Sequence, residues 1–128
     1  MPETAVEIVR KFWETMQTNN YHAAGECLGN DFVLEWPQSK ERLRGRENFA
    51  RMNEEYPTHG RWNFAINAIV GNETEAVSDV TVSDDLVRAR AITFSTVRDG
   101  KIIRQVEFWP EDYPAPENRR HLVEMMSR

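Results

Sequence analysis

Asp99-Gly100-Lys101-Ile102-Ile103-Arg104-Gln105-Val106-Glu107-Phe108-Trp109-Pro110 is the stretch from which the fold can be read. Asp-Gly is a strong two-residue hairpin signal, because both turn positions accept positive φ. Before it, Ala91-Ile92-Thr93-Phe94-Ser95-Thr96-Val97 is rich in β-branched and aromatic residues. After it runs a second strand, which Pro110 ends. Alternation puts Ile103, Gln105, Glu107 and Trp109 on one face of that strand. A carboxylate beside a tryptophan on a largely apolar strand calls for a reason, and a pocket is one.

Outward from the hairpin, most of the second half reads as strands, near 61–70, 75–83, 86–97 and 101–109, parted by Gly71-Asn72 and Asp84-Asp85 turns. The first half is different. Ala5, Ile8, Val9, Phe12 and Met16 recur at helical spacing, with Val6 and Trp13 widening the stripe, so 3–18 is expected to be an amphipathic helix. Residues 21–28 read as a second, short helix closed by Gly29. A strand at 32–36 stops at Pro37, a polar loop follows, and a third helix spans 46–56. The proline-bearing tail ends in a possible short helix at 117–126. Helices first and antiparallel strands afterwards mean an α+β domain with the helices on one sheet face. A strongly curved sheet covered by three helices is a cone with an internal cavity.

The chain has 128 residues, enough for one domain with a substantial core. With 40% hydrophobic and 29% charged residues it reads as soluble and globular. A net charge of −5 argues against a nucleic-acid surface. No apolar run is long enough to span a membrane and no secretory leader is evident, so a cytoplasmic address is expected. The single Cys27 cannot form an intrachain disulfide and reads as a core thiol. His22, His59 and His121 lack metal-ligand spacing, so no metal is expected. Asn72-Glu73-Thr74 fits a glycosylation acceptor but is read as a turn. Phosphate loops and serine or cysteine nucleophile motifs are absent from the sequence.

Lys11-Phe12-Trp13, Asn19-Asn20-Tyr21, Asp31-Phe32-Val33-Leu34-Glu35-Trp36-Pro37, Gly45-Arg46-Glu47 and Asp99-Gly100-Lys101-Ile102 follow one another in a particular order. In that order and spacing the chain resembles the nuclear transport factor 2-like superfamily, especially its SnoaL-type polyketide cyclase and ketosteroid isomerase branches. The resemblance implies the curved-sheet cone, a pocket facing the helices and often a homodimer through the outer sheet face. It leaves activity open, since the superfamily holds isomerases, cyclases, dehydratases, epoxide hydrolases and proteins without chemistry. The residues that serve ketosteroid isomerases correspond here to aromatics: Trp36 for the base, Phe12 for the tyrosine donor and Phe94 for the protonated aspartate. The catalytic acid of the SnoaL-type cyclases corresponds to Glu107, and the histidine often found two residues earlier to Gln105.

Strand pairing through two-residue turns gives a further expectation. Across Asp99-Gly100, Phe94 would face Gln105 and Ile92 would face Glu107. Across Asp84-Asp85, Asp79 would face Arg90 and Val77 would face Ile92. Asp79, Arg90 and Glu107 would then form one polar stripe, although a slip by one residue would turn the set over. The stripe could equally be a salt-bridge ladder on the outer face or at a dimer interface. The expected site is Glu107 with Arg90 and Asp79 as catalytic groups. Phe12, Trp13, Met16, Trp36, Phe94, Gln105 and Trp109 are the expected ligand-binding residues.

Three classes of function fit. An enzyme moving protons needs a titratable group in an apolar cavity. A carrier or sensor needs the cavity alone, and an interaction domain needs only an apolar outer face. The leading expectation is a cofactor-independent cyclase, isomerase or dehydratase acting on a small apolar organic molecule. It is expected to be a homodimer, with neither nucleic acid nor membrane as partner.

Overall fold

Thr4 starts the first helix: its hydroxyl accepts the Glu7 N–H, and the Glu7 carboxylate reaches back to the Thr4 N–H. The computed structural model describes residues 3–127. Helix α1 (Ala5–Gln17) buries Ala5, Ile8, Val9, Phe12, Trp13 and Met16, the stripe read from the sequence. Helix α2 (Tyr21–Gly25) is capped by Asn20, and α3 (Arg46–Glu55) buries Phe49 and Ala50.

Six strands form one curved, unclosed sheet: β1 (Leu28–Trp36), β2 (Glu41–Arg44), β3 (Asn63–Gly71), β4 (Glu75–Ser83), β5 (Arg88–Arg98) and β6 (Lys101–Phe108). Their order is β2-β1-β6-β5-β4-β3, antiparallel throughout except for the β1–β6 pair. Helix α1 packs on β3 through β6 and α3 on β1 and β2, with α2 joining the two helices. The helices therefore share one face, and the α+β cone stands as read.

The Asp99-Gly100 turn holds both residues at positive φ and pairs Arg98 with Lys101. Gly71 is required by space: a Cβ there would lie 2.2 Å from the Glu75 carbonyl oxygen, where the β3–β4 turn doubles back. Asn72 closes that turn by accepting from the Thr74 and Glu75 N–H groups, and the Glu73 carbonyl accepts from Ala5 at the foot of α1.

Several local expectations are corrected. Helix α2 stops at Gly25, not at residue 28, and Gly29 lies inside β1. The chain is drawn out early because Leu28 pairs with Ile102 and is fully buried. Cys27 therefore sits between helix and strand, half-buried, where burial pushes its thiol up. The polar loop before α3 contains β2, an edge strand whose charges (Glu41, Arg42, Arg44) suit an edge. The β4–β5 connection takes four residues rather than two. Asp84 accepts from the Leu86 and Val87 N–H groups and so closes an Asx-type turn. A 3-10 turn (Glu117–Leu122) stands in the exposed tail, within the expected 117–126. Among the described residues, no helix is long and apolar enough to cross a membrane.

Candidate functional site

One extra residue in β6 decides which side chains meet. Val97 pairs with Ile102 but Thr96 pairs with Arg104, so Ile103 is a bulge. The bulge lets both Ile102 and Gln105 point inward, where both are buried. Beyond it the partners are Ser95 with Gln105, Thr93 with Glu107 and Ile92 with Phe108. The inner face of β5 is therefore Ala91, Thr93, Ser95 and Val97, all buried.

Glu107 stays on the inner face and is only 7% exposed. Its Oε1 accepts from the indole Nε1 of Trp36 at 3.0 Å and of Trp109 at 3.1 Å. Its Oε2 accepts from the Thr93 hydroxyl at 2.7 Å. All three partners are neutral. Burial pushes the Glu107 carboxyl above its ordinary value, and the bonds from Thr93, Trp36 and Trp109 oppose the rise without reversing it. An indole N–H can only donate, so Oε1 is an acceptor whichever form the carboxyl takes. A proton on the group belongs on Oε2, with the Thr93 hydroxyl turning to accept it.

The carboxyl lines a cavity of about 540 Å³ between the sheet and the helices. Its deep wall includes Phe12, Trp13, Leu34, Phe64 and Gln105, all buried. Trp36, Trp62 and Trp109 are half-buried wall residues, and Gln38, Ser39, Glu41, Tyr56, Val87 and Glu111 are exposed at its rim. Two carboxamides fix the flanking tryptophans by their backbones. Gln38 accepts from the Trp109 N–H and donates to its carbonyl. Asn19 does the same for Trp62. The Trp13 indole is spent on Ser78 Oγ at 3.0 Å, which pins α1 to β4.

The expected site residues divide into two groups. Phe12, Trp13, Met16, Trp36, Gln105, Glu107 and Trp109 all line this cavity. Asp79, Arg90 and Phe94 do not. Asp79 and Arg90 do pair, Arg90 Nε donating to Asp79 Oδ1 at 2.7 Å, but on the outer face of the sheet. Phe94 is 48% exposed there and meets Phe108 edge-on at 6.1 Å. The cause is the Ile103 bulge, which turns β5 over relative to Glu107. The salt-bridge reading is the one that describes Asp79 and Arg90. Two outward-facing carboxylates are held low by arginine: Asp79 by Arg90, and Glu35 by Arg104 and then Arg42.

Thr93 was missed as a site residue, though a signal existed. The alternate set Arg88, Arg90 and Arg98 must face water, which leaves the small set Ala89, Ala91, Thr93 and Ser95 to lie beneath α1. His59 donates its backbone N–H to Asp84, and its ring lies 3.1 Å from the same carboxylate. That contact ties the loop after α3 to the β4–β5 turn. Burial alone would raise the Asp84 carboxyl, but the N–H groups of Val87, His59 and Leu86 and the His59 ring hold it far below its ordinary value. No group of His, Cys, Asp and Glu among the described residues could hold a metal ion.

The family model of the SnoaL-like domain matches residues 9–105. A candidate ketosteroid isomerase from Kribbella flavida DSM 17836 is 31% identical, over 95% of this chain and 89% of its own, with a TM-score of 0.87. A nuclear transport factor 2-like protein of unknown function from Burkholderia xenovorans LB400 is 21% identical over 94% of both chains, with a TM-score of 0.78. A candidate polyketide cyclase from Xanthomonas campestris pv. campestris is 20% identical over 81% of this chain and 88% of its own, with a TM-score of 0.69. No curated protein matches the sequence.

Proposed function

Because the chain belongs to the SnoaL-like domain family, we propose that it is a cofactor-independent enzyme in which Glu107 moves a proton to or from a small organic molecule held in the aromatic cavity. One observation carries the reading. Glu107 is a buried carboxyl that lines an apolar cavity and is held by three neutral donors rather than by a cation. Burial that raises a carboxyl brings it toward the range in which it exchanges protons near neutrality. Trp36, Trp109 and Thr93 fix its orientation and leave Oε2 as the oxygen that gains or loses the proton.

Ketosteroid isomerisation, suggested by the Kribbella relative, also needs hydroxyl or carboxyl donors for an oxyanion. Phe12 stands at the position of the tyrosine donor and Trp36 at that of the base, and the Trp36 N–H is spent on Glu107. Cyclase, lyase or isomerase chemistry limited to one proton transfer at a time suits the residues better. The same reading includes a homodimer through the outer sheet face, where Ile92, Phe94, Val106 and Phe108 lie together. Ala91, Thr93, Ser95 and Ile102, which a β5–β6 register without the bulge would place on that face, are instead buried inside the chain.

The test is proton abstraction from 5-nitrobenzisoxazole, an apolar carbon acid whose ring opening needs only a base. The ring C–H proton goes to Glu107 Oε2, its electron pair forms the nitrile, and the N–O bond breaks to give the phenolate. The rate is expected to rise with pH through a midpoint above the ordinary 4.5 of a glutamate. Glu107→Gln should lose ~10²–10⁴-fold in rate. Equal rates for the two proteins, with binding retained, would leave a carrier.

A further inference from the structure

The charges around the cavity are all of one sign. Glu107 lies in its wall and Glu41 and Glu111 at its rim, while no Lys, Arg or His is among the described residues that line it. The contrast with the rest of the chain is chemical. Asp79 and Glu35 face arginines and Asp84 faces His59, whereas Glu107 faces only two indoles and a hydroxyl. A buried carboxyl without a cation either keeps its proton or meets a cation that arrives with a ligand.

The acceptor count narrows the ligand. A carboxylate offers about four lone-pair positions, and the three donors occupy two on Oε1 and one on Oε2. One position, on Oε2, is left for a single N–H donor. Tertiary ammonium ions carry one N–H and three carbon substituents. Those substituents would lie against Trp36, Trp62, Trp109 and Phe12, whose faces attract a cation as well as apolar groups. An anionic ligand would meet the Glu41 and Glu111 carboxylates at the rim and no countercharge.

We propose that the cavity is selective for an apolar tertiary amine, bound as the ammonium ion with its one N–H on Glu107 Oε2. The inference rests on the cavity being a ligand site, and it names the group on the ligand that exchanges a proton with Glu107. The step balances without a co-reactant: the Oε2–H bond breaks, the amine lone pair takes the proton, and an ion pair is left between aromatic walls. The desolvation that keeps the proton on empty Glu107 is offset by the cation once the amine is in place.

Four probes of similar size separate the terms, read by quenching of the wall tryptophans. N,N-dimethylbenzylamine supplies charge and N–H, and benzyltrimethylammonium supplies charge alone. Isobutylbenzene has the same shape with C–H in place of N–H, and phenylacetate carries the opposite charge. The amine is expected to bind about tenfold or more tighter than isobutylbenzene, the scale of a hydrogen bond between charged groups, here the one to Glu107. Benzyltrimethylammonium should fall between them and phenylacetate should be weakest. Glu107→Gln should abolish the advantage of the amine. In the unaltered protein, the Glu107 carboxyl carbon should shift to its ionised position on adding the amine and not on adding isobutylbenzene, a readout that does not depend on the variant folding. Binding of isobutylbenzene as tight as that of the amine, or an amine advantage that survives Glu107→Gln, would overturn the amine proposal and leave the cavity as a ligand site. Saturable binding by none of the four would overturn both.

Discussion

The two faces of the sheet hold carboxylates in opposite ways. On the outer face Asp79 and Glu35 lie beside arginines in contact with water, and the guanidinium groups hold both carboxyls below their ordinary values. On the inner face Glu107 has only neutral donors and is buried, and its carboxyl is pushed up. Strands β5 and β6 serve both faces, so the difference arises from what covers each side rather than from the backbone. Water and arginine on one side make a charge inexpensive and dull. Helices and tryptophans on the other make the same group costly to ionise and therefore responsive.

The largest expected effect of this contrast is on rate. Asp79→Asn should leave proton abstraction from 5-nitrobenzisoxazole unchanged, because its carboxylate lies on the far side of the sheet from the cavity. Glu107→Gln should cost the ~10²–10⁴-fold expected for a general base. A comparable loss in both would mean that the outer ion pair supports the site, and the division between faces would fail.

Next in size are the donors. Trp36→Phe and Thr93→Val each remove a hydrogen bond from a buried carboxyl, which should cost ~1–3 kcal/mol of stability by urea unfolding. Both bonds favour the ionised form, so each loss should raise the Glu107 pKa further. Unchanged stability together with an unchanged titration would show that these donors do not hold the carboxyl.

The third expectation is linkage. A carboxyl raised on folding binds more protons in the native than in the unfolded state. Its contribution is therefore fully present below the unfolded value of about 4.5 and is lost as pH rises through the higher folded value. In Glu107→Gln the amide oxygen can accept both indoles while Nε2 donates to Thr93, imitating the protonated acid. Its melting temperature should fall less than that of the unaltered protein between mildly acid and neutral pH. Asp79 and Glu35 act in the opposite sense, losing their contribution as pH falls, and their exposure keeps that small. Parallel melting curves for the two proteins would contradict the assignment.

The outer face gives the smallest expected effect on the chemistry. Phe94→Lys should turn a dimer into a monomer by light scattering at micromolar concentration while leaving the proton-abstraction rate nearly unchanged. A monomer before substitution would remove the proposed interface and leave the cavity untouched.

The difference between the faces was only partly legible in the sequence. The Asp99-Gly100 turn, the α1 stripe and the inward Gln105, Glu107 and Trp109 could be read because turn chemistry and periodicity are local. The Ile103 bulge could not, since two consecutive isoleucines look the same whether one is extra or both are paired. That single residue moved Arg90, Asp79 and Phe94 off the cavity and brought Thr93 against Glu107. The arginines of β5 did carry the correction, for three charges on one alternate set belong to the wet side. Strand β2 left little trace because a short, charged edge strand resembles a loop. The link from Trp36 to Glu107 spans 71 positions and depends on the parallel β1–β6 pairing, which no local pattern announces.

Titration of the carboxyl carbons of Glu107 and Asp79 by NMR, in the unaltered protein and in Arg90→Met, tests the central claim most directly. Glu107 should titrate above the ordinary glutamate value and Asp79 below the ordinary aspartate value. Arg90→Met should raise Asp79 and leave Glu107 where it was. A Glu107 midpoint at or below the ordinary value, or one that moves with Arg90, would contradict the account.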